Sequence, residues 1–235
     1  MQKHLTPTRI FSATIALIVL TLAYGIHVEK IGAGLNEKSF ATVFSVALLW
    51  MTSRTCFKIN RVKTEQDTHA TGSSDARVIW LFLGYSFAYL ALDELLQIHE
   101  NIDKFIHYVS GMEETGWSDR IDDLILLIYG VVGLVVLFIY RAEILTAPHL
   151  LRFLRLAFLF AVVSLVVDAV STNEGYLASM QIDESLHRTV KGWVKLLEES
   201  TKLLAGAALL SGFNEVLRAI DHTSGDRNAI APIEN

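Results

Sequence analysis

The chain has 235 residues, 52% hydrophobic and 19% charged, with a formal net charge of −5 and a mean hydropathy of +0.40. A soluble domain carries about 25% charged residues and less apolar sequence, and here the apolar residues come in blocks rather than stripes, so lipid is the expected solvent. One cysteine, Cys56, excludes an internal disulfide framework and a cysteine-based metal site, and with no basic patch interleaved with aromatics a nucleic-acid partner is not expected.

In chain order, the segment "MQKHLTPTR" leads into residues 10–28, a run without Lys, Arg, Asp or Glu that is long enough to span. Ala23-Tyr24-Gly25 loosely resembles a signal-peptidase site, but the run is longer than most signal cores, so an uncleaved first helix is expected. A second span is expected at 39–57, where Arg54 near the end can snorkel to the headgroups. The polar stretch 58–77, "KINRVKTEQDTHATGSSDAR", reads as a loop. Further spans follow at 78–98, 121–140, 153–173 and 194–214, then a polar tail over 215–235. The expectation is an all-α polytopic membrane helix bundle with six transmembrane helices, residues 1–235 forming one integral membrane domain.

Basic residues orient the bundle. With the N-terminus in the cytoplasm, segments 1–9, 54–77, 141–155 and 214–235 hold twelve of the twenty Lys and Arg residues but eight of the twenty-five acids. Lys and Arg counts set topology, so both termini are expected in the cytoplasm of a bacterial-type inner membrane. Trp50 and Trp80 then fall at the inner interface, Trp117 and Trp193 at the outer one, as an aromatic belt places them.

This orientation sends acids to one leaflet. "DELLQIHE" puts Asp93, Glu94 and Glu100 at the outer end of the third span; Asp119, Asp122 and Asp123 open the fourth; Asp168 closes the fifth; Glu198, Glu199 and Lys202 open the sixth. The third, fifth and sixth spans keep charge-free cores of 15, 12 and 12 residues, as counted over 78–92, 156–167 and 203–214. Those are too short to cross alone, so the acids enter the bilayer, where a charge costs a few kcal/mol and is by default paired or functional. On one continuous helix Asp93, Gln97 and Glu100 share a face and His99 points well away from Asp93. Glu198 with Lys202, Lys195 with Glu199, and Asp103 with His107 have the i,i+4 spacing that permits pairing.

Carboxylates gathered in a low-dielectric volume must protonate, pair with Lys202 or hold a cation. A metal reading assigns Glu94, His99, Asp123, Asp168 and Glu198 as ligands to Zn, Mn or Fe, with Glu94 and Glu199 catalytic and Asp93, Gln97, Glu100 and Lys202 supporting them. The substrate would be lipid-like, arriving from the outer leaflet of the lipid bilayer. Buried acids beside a lysine also suit a cation- or proton-coupled transporter or relay. A third reading is a non-catalytic accessory or sensor protein whose acids staple the bundle. HExxH, paired ExxH and HxxxH patterns are absent from the sequence, as are P-loops, nucleophile elbows and dinucleotide fingerprints.

At "LALDELLQIHE" the sequence resembles a group of poorly characterised bacterial multi-pass membrane proteins. They carry a D-E-x-x-x-x-H-E segment at a span end, an acid in the penultimate span and paired glutamates opening the last. The counterparts are Asp93, Glu94, His99 and Glu100, then Asp168, then Glu198 and Glu199. The resemblance implies that these acids belong to one site. In architecture the chain is also loosely similar to membrane metal hydrolases of the alkaline-ceramidase and adiponectin-receptor type.

Overall fold

The computed structural model describes residues 5–28, 31, 39–67, 75–111, 121–171 and 184–230, without the side chains of 66–67, 75–76, 122–123, 169–171, 184–185, 187 and 222–230. Among the described residues the fold is all-helical, with eight helices: α1 Pro7–His27, α2 Phe40–Asp67, α3 Asp75–Leu96, α4 Ile98–Ser110, α5 Ile121–Ile139, α6 Arg141–Leu145, α7 Pro148–Ser171 and α8 Glu184–Ile230. Five stretches are long and apolar enough to cross a membrane: Pro7–His27, Phe40–Glu65, Arg77–Leu96, Pro148–Asp168 and Arg188–Asp221. A shorter apolar stretch, Leu124–Ile139, lies in α5.

Local chemistry sets several ends. Thr6 accepts the backbone N–H of Arg9 at 3.3 Å and Pro7 occupies the first turn, so α1 starts on a side-chain cap and a residue with no amide hydrogen to satisfy. Where a loop is expected after residue 57, α2 continues for another ten residues to Asp67. That extension is built from good helix formers, and Arg61 pairs with Glu65 one turn on at 2.9 Å. Likewise the outer segment before residue 194 and most of the expected C-terminal tail are helical, making α8 a continuous 47-residue rod. Polarity alone had marked both as non-helical; a charged helix face has the same composition as a loop.

The bundle is organised on α8. Of its membrane-length stretch 61% is buried, against 17–39% for the other four. Helix α1 runs antiparallel to it: Ile10 clusters with Ala207 and Leu210, while Leu17, Ile18 and Leu22 meet Leu196 and Leu203. Helix α2 runs parallel to it, from Ala41 in the Leu196–Leu203 cluster to Cys56 and Ile59 beside Phe213 and Val216. Helices α3 and α7 are both antiparallel to α8. Trp80, near the start of α3, stacks edge-to-face on Phe213 with centroids 6.2 Å apart. At the start of α7, Leu150 and Phe153 crowd Gly212, where an added Cβ would lie 2.8 Å from Phe153 Cβ. A side chain there would push the two helices apart.

The centre of the largest core cluster described is aromatic. Phe213, fully buried, takes Trp80 on one side and Phe87 on another at 5.5 Å. Expected in the interfacial belt, Trp80 is instead 1% exposed, and its indole N–H donates to Glu143 of α6 at 3.0 Å. A buried indole needs an acceptor, and Glu143, which also pairs with Lys63, supplies one. Trp50 and Trp193 are about half exposed; Trp117 lies outside the described residues. The outward faces of α1, α5 and α7 present large apolar side chains, among them Leu20, Val135, Phe138 and Leu159.

Candidate functional site

The C-terminal end of α3 is shaped by a break in the helix. Gln97 adopts a left-handed backbone conformation, φ 52° and ψ 48°, between α3 and α4. Such a conformation costs a residue other than glycine about 1 kcal/mol or more, so its surroundings must hold it. Asn101 does part of this, donating its side-chain amide to the Leu96 carbonyl at 2.9 Å and thereby satisfying the end of α3. Gln97 itself bonds Glu100 at 3.0 Å.

The break brings together two residues that a continuous helix separates. The expectation that His99 points away from Asp93 is overturned: Asp93 Oδ1 accepts the backbone N–H of His99 at 2.9 Å, and Oδ2 takes His99 Nδ1 at 2.8 Å. One carboxylate therefore caps the amino end of α4 and fixes the imidazole at once. With Nδ1–H donated to Asp93, a neutral ring carries its lone pair on Nε2. The Asp93 side chain is 4% exposed and that of His99 16%.

Across from this pair, α8 presents its acids and its amine. Lys202 Nζ donates to Glu198 at 2.7 Å and to Glu199 at 3.4 Å, one turn apart on the same helix. Of the charged groups, those acting most strongly on Glu94 are Lys202 and Glu199, followed by His99 and Asp93. Glu94 thus lies within electrostatic reach of both the α3 pair and the α8 triad. Lys195 acts on Glu199, as its spacing suggested. Glu198 and Glu199 are largely buried, whereas Lys202 keeps 44% of its side chain exposed. Ser164 of α7 donates to the Glu198 carbonyl at 3.3 Å and ties α7 to this turn of α8.

Of the expected residues, the structure brings together Asp93, Glu94, His99, Glu198, Glu199 and Lys202. Gln97 and Glu100 are at the hinge instead, where Glu100 also meets Lys104 at 3.4 Å. Asp168, half-buried on α7, has a polar interaction of its own. The side chains of Asp123 and His187 lie outside the described residues. Among the described residues, no group of three or more His, Cys, Asp or Glu side chains is arranged to hold a metal ion. Asp103 and His107 pair one turn apart on α4, 3.1 Å from Oδ1 to Nδ1.

Two features escaped the sequence. One is the Asp93–His99 pair, which depends on a left-handed glutamine that no Gly, Asn or Pro announces. Helical phase gives no warning either: at about 100° per residue, Ile98, Phe105 and Val109 fall in phase with the buried Trp80, Phe87 and Ala91 of α3, as they would on one continuous helix. The other is the bond between the Tyr89 and Tyr129 hydroxyls, 2.6 Å, which ties α3 to α5.

Residues 10–216 match the model of a family described as a domain of unknown function, DUF8692, and the chain belongs to that family. No curated protein and no solved structure matches the chain.

Proposed function

We propose that this member of the DUF8692 family is a six-pass protein of a bacterial-type inner membrane, with both termini cytoplasmic, that performs acid–base chemistry on a lipid-like substrate at a polar site in the outer leaflet. The crossing count is supported by helix direction. Helices α3 and α7 both run antiparallel to α8, so the chain leaves α3 at one end of the bundle and enters α7 at the other. The intervening α5, 19 residues or about 28 Å long, is the element that makes that traverse. The resulting loops carry the Lys and Arg excess on the side of α6.

The Asp93–His99 pair beside Lys202 carries the chemical reading. An imidazole whose Nδ1 is held by a carboxylate is a general base at Nε2. In hydrolysis of an ester or amide, that nitrogen takes a proton from water as the water oxygen attacks the carbonyl carbon. The ammonium of Lys202 offsets the developing oxyanion, and as the intermediate collapses and the bond to the leaving group breaks, the proton taken by Nε2 is handed on through Glu94 to the departing oxygen or nitrogen. Glu199 holds Lys202 in position. A metal-dependent form of the same reading, with Zn, Mn or Fe on Glu94, His99, Asp123, Asp168 and Glu198, is less well supported, because the described members of that set form no three-ligand group. Elemental analysis of the purified protein separates the two forms, with stoichiometric metal lost in Glu94→Ala marking the second. The relay alternative is less well supported, because α8 carries no ionisable side chain over 203–214 and aromatic packing at Phe213 fills the inner core.

The test is a comparison of membrane lipids, by mass spectrometry, from cells producing the wild-type chain and Asp93→Asn or His99→Ala at matched levels. A lipid species consumed with the wild type and spared in both variants is the expected result. Identical lipid profiles in all three would sink the enzymatic reading.

A further inference from the structure

The start of α7 bears a second charged feature, unrelated to the outer acids. An open groove of about 650 Å³ is lined by Pro148, Leu151, Arg152, Arg155, Leu156 and Leu159. At about 100° per residue, Pro148, Arg152, Arg155 and Leu159 form one stripe, and Val162 and Val166 continue it along the same face. Both arginines are exposed, and so are Leu159, Val162 and Val166. Among the described residues neither guanidinium is paired with a carboxylate; Arg61 and Arg218, by contrast, are paired.

Depth makes these two charges costly without a partner. Between Arg155 and Asp168 the helix offers twelve residues, 156–167, or about 18 Å, against a hydrocarbon core of about 30 Å. A helix crossing there carries Arg155 to or below the headgroup level on a face that the bundle leaves uncovered. Guanidinium pairs suit a phosphodiester because each fork can donate two hydrogen bonds. An apolar stripe then runs from the charges toward the bilayer centre, where an acyl chain would lie. Opposite charge at the top and apolar surface beneath match one amphiphile, not a soluble anion.

From this juxtaposition we infer that Arg152, Arg155 and the Leu159–Val162–Val166 stripe of α7 form a binding site for an anionic phospholipid, the phosphate on the guanidiniums and an acyl chain along the stripe. In the proposed orientation the leaflet is the cytoplasmic one; the site itself rests only on α7 crossing the membrane and not on the chemistry assigned to His99. The lipid would anchor the most lipid-exposed of the five long helices against α8.

Native mass spectrometry of the full chain, purified in mild detergent and titrated with phosphatidylglycerol or phosphatidylcholine, tests this. The wild type should retain phosphatidylglycerol at least about tenfold more tightly than phosphatidylcholine. Arg152→Gln with Arg155→Gln should remove that preference, while Arg61→Gln, on α2, should keep it, and millimolar inorganic phosphate should not compete. Equal retention of the two lipids by the wild type would overturn the site, with no variant needed. So would an undiminished preference in the double variant, or displacement by free phosphate. Loss of the His99 chemistry with lipid retention intact would count against the proposed function alone.

Discussion

Helix α3 buries a carboxylate at each end of its path, and the two are treated in opposite ways. At the inner end Glu143 receives the Trp80 indole N–H and the Lys63 ammonium, which itself lies 5.5 Å over the Trp80 ring. Its donors come from α2 and α3, and the aromatic core packs against them. At the other end Glu198 and Glu199 hold Lys202, whose side chain is nearly half exposed, with Glu94 within electrostatic reach and an imidazole fixed by Asp93 across a left-handed break. Burial of charge therefore does not separate scaffold from site in this bundle. The separating features are whether the charge is closed off by donors from neighbouring helices and whether the backbone beside it is relaxed.

The comparison is broken most severely at the inner end. Phe213→Ala removes the ring on which Trp80 and Phe87 both stack, in a fully buried position. The expected loss is about 3 kcal/mol or more of stability, read as a lower midpoint in thermal unfolding in mild detergent. A variant that unfolds at the wild-type temperature would show that the aromatic core is not the scaffold. Next in size is Glu143→Leu, which leaves the Trp80 N–H and Lys63 without their shared acceptor. It should cost about 1–3 kcal/mol in the same measurement while leaving any reaction dependent on His99 intact. If instead Glu143→Leu abolishes that reaction and spares stability, the roles of the two ends are reversed.

Much of this scaffold was legible in the sequence, and the reasons for the exceptions are physical. Apolar blocks found the long helices because hydrocarbon demands about twenty apolar residues whatever the neighbours are. Small residues on the last helix, Gly206 and Gly212, are packing positions, which Leu48 and Phe153 approach closely. The helical ends of α2 and α8 were misread because water-exposed helix and loop share a composition. For the candidate site, the pairs of Lys202 with Glu198 and Glu199 are local in sequence, and depth arguments drew attention to Glu94, Glu198, Glu199 and Lys202. They failed for His99, because one residue's φ decides which way everything after it faces. They also failed for Trp80, whose partner Glu143 lies 63 residues away.

The smallest expected effect gives the sharpest test of the difference between the two ends, at Gln97. If this left-handed position is a strain held by Asp93 and Asn101, Gln97→Gly should relieve it, since glycine reaches positive φ without a Cβ clash. Against that gain stand the extra backbone freedom of glycine in the unfolded chain and the lost bond from Gln97 to Glu100. The terms nearly cancel, leaving about 0.5 kcal/mol in favour of the glycine. Gln97→Val should cost about 1–2 kcal/mol, because a β-branched side chain is worst suited to this conformation. Thermal unfolding of the pair, each against Gln97→Ala, reads the order Gly above Ala above Val. The order of a helix interior, Ala above Val above Gly, would mean that α3 and α4 run on as one helix, which would turn His99 away from Asp93 and leave that end as closed to chemistry as the other.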